Sequence, residues 1–305
     1  MEGGGPEVLG PASGVLRPAR PNSALIKRRD AEAMNSLKPL PVAAPLGLAC
    51  AAQAQPGEAG AEGARYLLGS TLSSEPEYAG SDRRHFKLRP LWAYQQGRFR
   101  LSTGRAGGLL GLGGEASGPG ASADLLSSGR LRLGLGLRID HGRDSADSAR
   151  LSGLPDVRGT LRGRIYAAYA LGGPWSVTGS LSQDLLGREG GMLGGLDLGY
   201  RARLGPATEW SASVGLSFGD RRYMRSYFGI GEEVAARSGY AVFEPKRFAR
   251  DLHAGIGLNH ALDRHWLAFG GVSFSTLQAD AAASPLTQER SSVSVSVGLA
   301  YRWLP

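Results

Sequence analysis

The final stretch of the chain, residues 291–303, alternates strictly between apolar and small or polar side chains. The apolar set is Val293, Val295, Val297, Leu299, Tyr301 and Trp303, and the other set is Ser292, Ser294, Ser296, Gly298, Ala300 and Arg302. A period of two places these sets on opposite faces of a β-strand. The run is long enough for a tilted strand to cross a bilayer. Tyr301 and Trp303 are expected at the interface between membrane and water, and they are also the candidates for an insertion signal. It predicts a transmembrane strand, with a strand of a soluble sandwich as the alternative.

The same alternation recurs along most of the chain. It is clearest from Leu131 to Asp140, where leucines alternate with arginine and glycine. Similar runs occupy residues 66–72, 86–94, 99–103, 161–171, 175–185, 196–204, 210–218, 252–258 and 266–277. Residues 105–129 are the least readable part, and we expect two strands within 98–129. The pattern then predicts about 12 antiparallel strands, within a range of 10–12.

The connections between these runs fall into two length classes that alternate along the chain. Counting back from Trp303, the long segments 141–160, 219–247 and 278–290 fall at one end of the strands. The short turns at 95–97, 172–174 and 205–206 fall at the other end. Outer-membrane barrels have short periplasmic turns and long extracellular loops, whereas a soluble sandwich has no reason to sort its loops. We therefore predict an all-β fold, an antiparallel transmembrane β-barrel over residues 65–305.

The residues before the barrel lack this periodicity. Residues 1–33 are interpreted as a disordered or mis-assigned upstream extension, and residues 34–54 as a signal peptide. Ala52-Gln53-Ala54 forms the expected cleavage site, and residues 55–64 form a periplasmic tether. A lipid attached at Cys50 is less expected, because glycine stands at position 47, where a lipobox has leucine. The sequence thus predicts an exported protein of the Gram-negative outer membrane, with membrane lipid as its surroundings.

Composition narrows the classes of function. The formal net charge is +8, but the arginines are dispersed along the strands instead of clustering with aromatic residues, so nucleic acid is not an expected partner. The single cysteine excludes a disulfide framework. The 47 glycines recur within the strand runs, where small side chains suit a curved, closed sheet.

Charged residues fall mainly on the face that would line the lumen. The main candidates are Arg89, Arg100, Arg132, Arg138, Arg162, Arg164, Asp197, Arg201, Arg203 and Asp251. Further basic candidates are Lys87, Arg98 and Arg302, and further acidic ones are Asp140 and Asp184. Because the basic side chains outnumber the acidic ones, a conducting lumen is expected to prefer anions.

No catalytic, cofactor or metal site is expected. None of the five histidines stands at a recognisable spacing from a serine and an acid. His260, Asp263 and His265 resemble a metal site, and Glu75 with Glu77 a cation site at the rim, but solvated turn and loop residues are the favoured interpretation in both cases.

Aromatic residues crowd the long segment 219–247. Tyr223, Tyr227 and Phe228 are its principal candidates for contacts with another molecule. The alternative is that the loop folds over the barrel mouth and packs on itself, and the sequence leaves both possibilities open.

Several short motifs carry a family resemblance over residues 65–303. They are Tyr78-Ala79-Gly80-Ser81-Asp82, Arg89-Pro90 with Trp92 and Tyr94, Gly97-Arg98-Phe99, Ser226-Tyr227-Phe228-Gly229-Ile230 and Ser284-Pro285. With these motifs the chain resembles the MipA/OmpV family of outer-membrane proteins. It differs from the family in ending with Leu304 and Pro305 after its last aromatic residue.

The resemblance implies an outer-membrane barrel without known catalytic residues. The member that names the family is a scaffold linking a murein hydrolase, a lytic transglycosylase, to a murein synthase, and other members are described as porin-like or adhesive. A non-catalytic scaffold for murein-remodelling enzymes is therefore the expected function. A narrow anion-preferring channel and a surface adhesin are the alternatives.

Overall fold

The computed structural model describes residue 1 and residues 64–103 and 119–303. The predicted extension, signal peptide and tether lie almost entirely outside these residues, as do Leu304 and Pro305. The extension, the signal peptide and the tether therefore remain predictions.

The alternating segments form twelve antiparallel strands that close into one barrel, which confirms the predicted fold class. The strands are β1 Arg65–Pro76, β2 Arg84–Gln96, β3 Phe99–Ser102, β4 Gly120–Ser128, β5 Leu131–Asp140, β6 Thr160–Gly172, β7 Trp175–Asp184, β8 Met192–Arg203, β9 Thr208–Gly219, β10 Ala249–Ala261, β11 Trp266–Leu277 and β12 Ser291–Trp303. Each strand pairs with the next in sequence, and β12 pairs with β1 from Tyr66–Trp303 to Ser74–Val295. The pairing of β12 with β1 removes the two edge strands that an open sheet would have, and the described residues of β3 cover the Ala93–Gln96 part of β2.

The apolar set of each strand lies on the outside of the barrel. Leu135, Val214 and Val295 are 46%, 53% and 40% exposed although they belong to the middle of their strands. In water such a surface would be unfavourable, whereas in a bilayer it meets hydrocarbon. The outward rows therefore form the band that contacts lipid.

The two ends of the barrel differ in the way the sequence predicts. Short turns and both ends of the described barrel chain lie at one end, which is the periplasmic end by the loop-length rule. In their described residues, the long loops at the outer end contain three α-helices, α1 Arg221–Phe228, α2 Glu232–Ser238 and α3 Ala279–Ala283, and two short 3-10 helices, Ser145–Asp147 and Ala149–Leu151. In the part of the chain that the structure describes, no helix is both long and apolar enough to span a membrane.

The outer loops pack against one another and form a folded cap, called the outer cap below. One apolar cluster joins α1 to α3 through Met224, Phe228 and Ala281. A second apolar cluster consists of the buried side chains of Leu151, Leu154, Ile230 and Leu286. Hydrogen bonds between loops add to this packing: Ser284 Oγ donates to the Phe228 carbonyl at 2.7 Å. The outer cap therefore has its own small core.

Two β-bulges break the simple alternation at positions that matter for the lumen. The register between β9 and β10 shifts between Ala249 and Asp251, and that between β4 and β5 shifts between Asp124 and Leu126. A bulge inserts one residue and re-aims the side chains around it. Arg250 therefore lies beside Asp251 and contacts the same group of residues, which strict alternation would not predict.

Candidate functional site

The lumen is lined by two unlike walls. The wall formed by β9–β12 carries small side chains; its members are Ser211, Ser213, Gly255, Gly257, Gly271, Ser273, Ser294 and Ser296. The wall formed by β3, β5 and β6 carries long basic side chains, Arg100, Arg132, Arg138, Arg162 and Arg164. We call these the serine-glycine wall and the arginine wall. The difference places most of the positive charge of the lumen on one side.

A hydrogen-bonded group on the arginine wall surrounds Arg100, which is buried. Its Nη2 donates to Asp124 Oδ1 at 2.8 Å and to the Tyr166 hydroxyl at 2.6 Å, and that hydroxyl donates to the same carboxylate at 2.7 Å. Arg132 Nε lies 4.0 Å from Asp124, and the Arg164 guanidinium lies 5.6 Å from the centre of the Tyr166 ring. One carboxylate thus faces several cations, and the group retains a positive excess.

Arg162 is fully buried near the outer end of the same wall. Its Nε donates to Asp140 Oδ2 at 2.6 Å, and its two terminal nitrogens donate to the Gly191 and Gly190 carbonyls at 3.0 and 2.7 Å. Gly191 has a φ of 57°, a left-handed conformation that favours glycine. Asp184 fixes the same turn by accepting from the Gly190 N–H at 2.9 Å. Arg138 lies beside Arg162 in the strand register.

A third group joins the lumen wall to the outer cap. His253 lies between two carboxylates, with Nε2 2.8 Å from Asp197 Oδ1 and Nδ1 2.9 Å from Asp251 Oδ1. Only an imidazolium can donate from both ring nitrogens at once. Asp251 also accepts from Arg250, whose Nη1 donates to the Tyr223 hydroxyl of α1 at 3.3 Å. The group therefore connects β8 and β10 to the first cap helix.

The loop aromatics predicted as contact candidates lie inside the outer cap. Tyr223 and Phe228 are buried, and the Tyr223 ring stacks on Tyr227 with 4.4 Å between centroids. The guanidiniums of Arg162 and Arg250 lie 5.7 and 6.0 Å from the Tyr223 ring. The interpretation as an exposed contact surface is therefore wrong for Tyr223 and Phe228, because the loop packs on itself over the barrel mouth. These two residues therefore do not provide the exposed aromatic surface on which the adhesin hypothesis relied.

Burial inside the outer cap changes the pKa of several of its groups. It raises the pKa of the Tyr78 hydroxyl to about 12 and raises that of Tyr227 further from its ordinary value. Burial also lowers the pKa of Arg143, whose Nη1 donates to the Tyr227 carbonyl at 2.7 Å. The two tyrosines therefore act as neutral hydrogen-bonding groups at physiological pH.

Two further charged candidates, Arg89 and Arg201, lie in local ion pairs. Arg89 Nη2 is 2.6 Å from Glu75 Oε1 near the outer end, where Lys87 and His85 also face Glu75. Arg201 lies 3.4 Å from a second glutamate, residue 209, towards the periplasmic end. Arg203 is exposed at the periplasmic end of β8. Glu75 is thus engaged by basic side chains.

The periplasmic end of the lumen is partly apolar, which the alternation does not predict. Leu67, Leu91, Ala93 and Ala300 are buried there, and Phe269 packs against them. All five belong to the inward-facing positions of β1, β2, β11 and β12. This inner apolar cluster narrows the lumen beneath the serine-glycine wall.

An aromatic cluster surrounds the end of the last strand. Tyr301 lies 4.5 Å from Trp303 and 5.2 Å from Trp266 between ring centroids, and His265 stacks on it at 5.2 Å. Trp175, Tyr200 and Trp210 form a similar outward group on β7–β9. These rings mark the periplasmic interface of the membrane. The role of Tyr301 and Trp303 as an insertion signal stays a prediction.

The residues considered for a metal site are used otherwise. Asp263 accepts from the backbone N–H of Trp266 and His265 at 2.7 and 2.6 Å, which holds the turn and lowers the pKa of that carboxyl. Asp82 lies 3.4 Å from Arg150. Among residues 64–103 and 119–303, no three histidine, cysteine or acidic side chains are grouped so that they could hold a metal ion.

The sequence did not predict three of the residues that contribute to the lumen. Asp124 lies in the segment that could not be read, next to a bulge. Arg250 is the extra residue of the other bulge. Strict alternation along β10 would therefore place its side chain outside the lumen. Tyr166 has the same parity as Arg162 and Arg164, and this parity is the signal that could have found it.

Known structures with a similar fold are outer-membrane channels. An anion-selective porin from Comamonas acidovorans matches with 12% identity and a TM-score of 0.38, covering 79% of this chain and 99% of its own. An outer-membrane channel from Pseudomonas putida F1 matches with 14% identity and a TM-score of 0.44, covering 81% of this chain and 99% of its own. Neither likeness assigns a function to this chain.

The family comparison agrees with the motifs. A search of curated protein sequences found no match. A family model described as MltA-interacting protein MipA matches residues 68–303, which span nearly the whole described barrel from β1 to β12. Because this match covers well over half of the chain, the protein belongs to the MipA family of outer-membrane barrel proteins.

Proposed function

We propose that the barrel is a non-catalytic scaffold that holds murein-remodelling enzymes, a murein hydrolase and a murein synthase, at the outer membrane. The family is named for its interaction with one such enzyme, MltA. A scaffold for periplasmic enzymes needs a docking surface at the periplasmic end. The observation that supports the proposal is a hydrogen-bonded surface at that end, built from two neighbouring turns.

The turn after β8 and the turn after β10 are tied together. The Ala261 N–H donates to the Ala207 carbonyl at 2.8 Å. The Arg302 N–H donates to the His265 carbonyl at 2.8 Å, and Arg302 Nε donates to the Arg264 carbonyl at 3.1 Å. These bonds join residues 204–207, 262–265 and the end of β12 into one surface, which we call the periplasmic rim surface.

This surface combines exposed apolar and basic side chains. Leu204 and Leu262 stand in the two turns and are 61% and 58% exposed. Arg203 and Arg264 flank them. An apolar centre with basic neighbours is a suitable contact for a protein partner with an acidic rim. The surface is small, so binding is weak unless the partner is also held at the membrane.

The test is recovery of murein enzymes with detergent-extracted protein. Leu204→Asp combined with Leu262→Asp should abolish recovery, because aspartate removes the apolar contact and repels an acidic partner. The matched control is Leu186→Asp with Val242→Asp, two equally exposed apolar residues at the outer end. If the intact protein recovers no murein enzyme and forms stable conducting pores in bilayers, the channel hypothesis replaces the scaffold.

A narrow anion-preferring channel is the second candidate, favoured by the two unlike walls of the lumen. The serine-glycine wall leaves room beside the arginine wall, and the excess positive charge would attract anions in a low-dielectric tube. The inner apolar cluster and the outer cap both restrict the path. These restrictions favour slow passage of small solutes over bulk diffusion.

A further inference from the structure

A groove of about 350 Å³ lies on the outer side of the barrel, where β8 and β9 end and the chain enters β10. Its apolar floor contains Met192, Phe218 and Phe248, and its upper edge carries Arg221, Lys246 and Arg247. The volume is at the lower end of the range for small-molecule sites. The groove lies at the level where the lipid-facing strands meet the outer cap.

The floor of the groove continues the lipid-facing surface of the barrel. Phe218 follows Val214 and Leu216 on the outward row of β9. A Cβ added to Gly194 would lie 2.0 Å from the Phe218 ring, so the ring lies flat over this glycine on the outer face of β8. Phe248 is 69% exposed, which is unusual for phenylalanine outside a membrane or an interface. Hydrocarbon is therefore the natural occupant of the floor.

The upper edge offers two exposed basic side chains, those of Lys246 and Arg247. The backbone N–H groups of Lys246 and Arg247 donate to Asp280 Oδ2 of α3 at 2.6 and 2.8 Å, which fixes this segment on the outer cap. Their side chains are exposed and form no salt bridge with any residue of 64–103 or 119–303. Arg221, in contrast, is paired with Glu244. Lys246 and Arg247 are thus held in place with exposed cationic ends, whose charges also act on the carboxylate of Asp280.

We propose that this groove binds a phosphorylated glycolipid of the outer leaflet, of the lipid A class, with an acyl chain on Phe218 and Phe248 and a phosphate group between Lys246 and Arg247. Arg247 and Phe248 are consecutive, so the chain presents a phosphate ligand directly above an apolar one. Lysine and arginine side chains at a membrane surface attract anionic headgroups, and buried methylenes contribute further affinity. This lipid site goes beyond the scaffold and is independent of it.

The site has a chemical requirement that a non-specific lipid shell lacks. A lipid shell needs only the apolar band, which surrounds the whole barrel. This groove needs the phosphate as well as the acyl chain, because the two exposed cations lie at one point of the circumference. Removal of either part of the ligand should therefore weaken binding at this place.

The experiment measures binding of lipid A to the purified, delipidated full-length protein by native mass spectrometry in detergent. Bis-phosphorylated lipid A, dephosphorylated lipid A, phosphatidylglycerol and inorganic phosphate serve as separate probes. Bis-phosphorylated lipid A should bind with one-to-one stoichiometry and be displaced by none of the other three at equal concentration. Equal binding of the dephosphorylated form overturns the proposal, and so does equal binding of inorganic phosphate or of phosphatidylglycerol.

The variant Lys246→Gln/Arg247→Gln should bind lipid A about thirtyfold more weakly, since each basic residue near a membrane surface contributes on the order of 1 kcal/mol. The matched control is Arg83→Gln/Arg158→Gln, which removes two exposed arginines elsewhere on the outer loops and should bind normally. Phe248→Ser should weaken binding without changing net charge. Heat-modifiable mobility on a gel verifies that each variant folds. An equal loss of affinity in the control overturns the proposal.

Discussion

Arg162 donates its Nε hydrogen to Asp140 Oδ2 at 2.6 Å although the arginine side chain is completely buried. The two residues belong to neighbouring strands, and each terminal nitrogen of the guanidinium donates to a carbonyl, that of Gly191 or that of Gly190. A buried cation of this kind is tolerated because it is paired with a carboxylate and each of its three nitrogens donates a hydrogen bond. It also ties the wall of the lumen to the turn that precedes β8.

Replacement of this buried arginine should be strongly destabilising. Arg162→Met leaves the part-buried Asp140 carboxylate and the Gly190 and Gly191 carbonyls without their donor, and loss of one partner of a buried pair costs about 3–5 kcal/mol. The free energy of unfolding in lipid vesicles, measured with urea, is the readout. The double variant Arg162→Met/Asp140→Leu should recover part of the loss. A single variant as stable as the wild type would contradict the role assigned to the pair.

A charge placed on the lipid face should destabilise the barrel far more than one placed on the lumen face. Leu135 lies outward in the middle of β5, so Leu135→Arg should cost about 2–4 kcal/mol. Ser213→Arg is the control, because Ser213 belongs to the serine-glycine wall and is exposed to the lumen. Equal losses in the two variants would mean that the faces are assigned wrongly.

If the lumen conducts, it should prefer anions. Arg100, Arg132, Arg138, Arg162 and Arg164 stand on one wall, and Asp124 and Asp140 are the acids that contact them. In planar bilayers with a salt gradient, the reversal potential should have the sign of anion selectivity. Arg138→Ser should shift it towards zero, because this change removes a positive charge from the arginine wall. Cation selectivity of the wild type would contradict the prediction.

The outer cap should loosen in acid at the contact between α3 and the segment before β10. The backbone N–H groups of Arg247 and Lys246 hold the pKa of Asp280 below its ordinary value of 3.8. A carboxyl with a lowered pKa in the folded state stabilises that state above its ordinary pKa, and the contribution is lost as the pH falls through the lowered value. Stability from this contact is therefore present at pH 7 and is lost only below about pH 4.

Hydrogen exchange checks this dependence. At pH 7 the amides of Lys246 and Arg247 should exchange more slowly in the wild type than in Asp280→Ala. After correction for the intrinsic rates, the two proteins should converge as the pH falls below the ordinary carboxyl value. A difference that persists unchanged in strong acid would show that the charge on Asp280 is not responsible.

The mature protein should begin near Gln55. The argument is the Ala52-Gln53-Ala54 site and the lack of an alternating sequence pattern before it. N-terminal sequencing of protein extracted from the membrane provides the measurement. A mature chain that still begins at Met1 would contradict the prediction.

The sequence by itself determined the architecture of this protein. Strict alternation, as in β12 and β5, can be read without a structure because a strand places successive side chains on opposite faces. The loop lengths then distinguished the periplasmic end of the barrel from the outer end. The alternation along the strands placed Arg132, Arg162 and Arg201 on the inner face. Local rules of this kind need no knowledge of which strands become neighbours.

Tertiary structure alone decided which residues meet. Asp124 faces Arg100 across strands, and Arg250 reaches Asp251 and Tyr223 only because a bulge changes the register at Ala249. The burial of Phe228 likewise depends on loops that are far apart in sequence and fold together over one mouth. Alternation reports the face of a strand but neither its bulges nor the path of its loops, because these depend on contacts between distant parts of the chain.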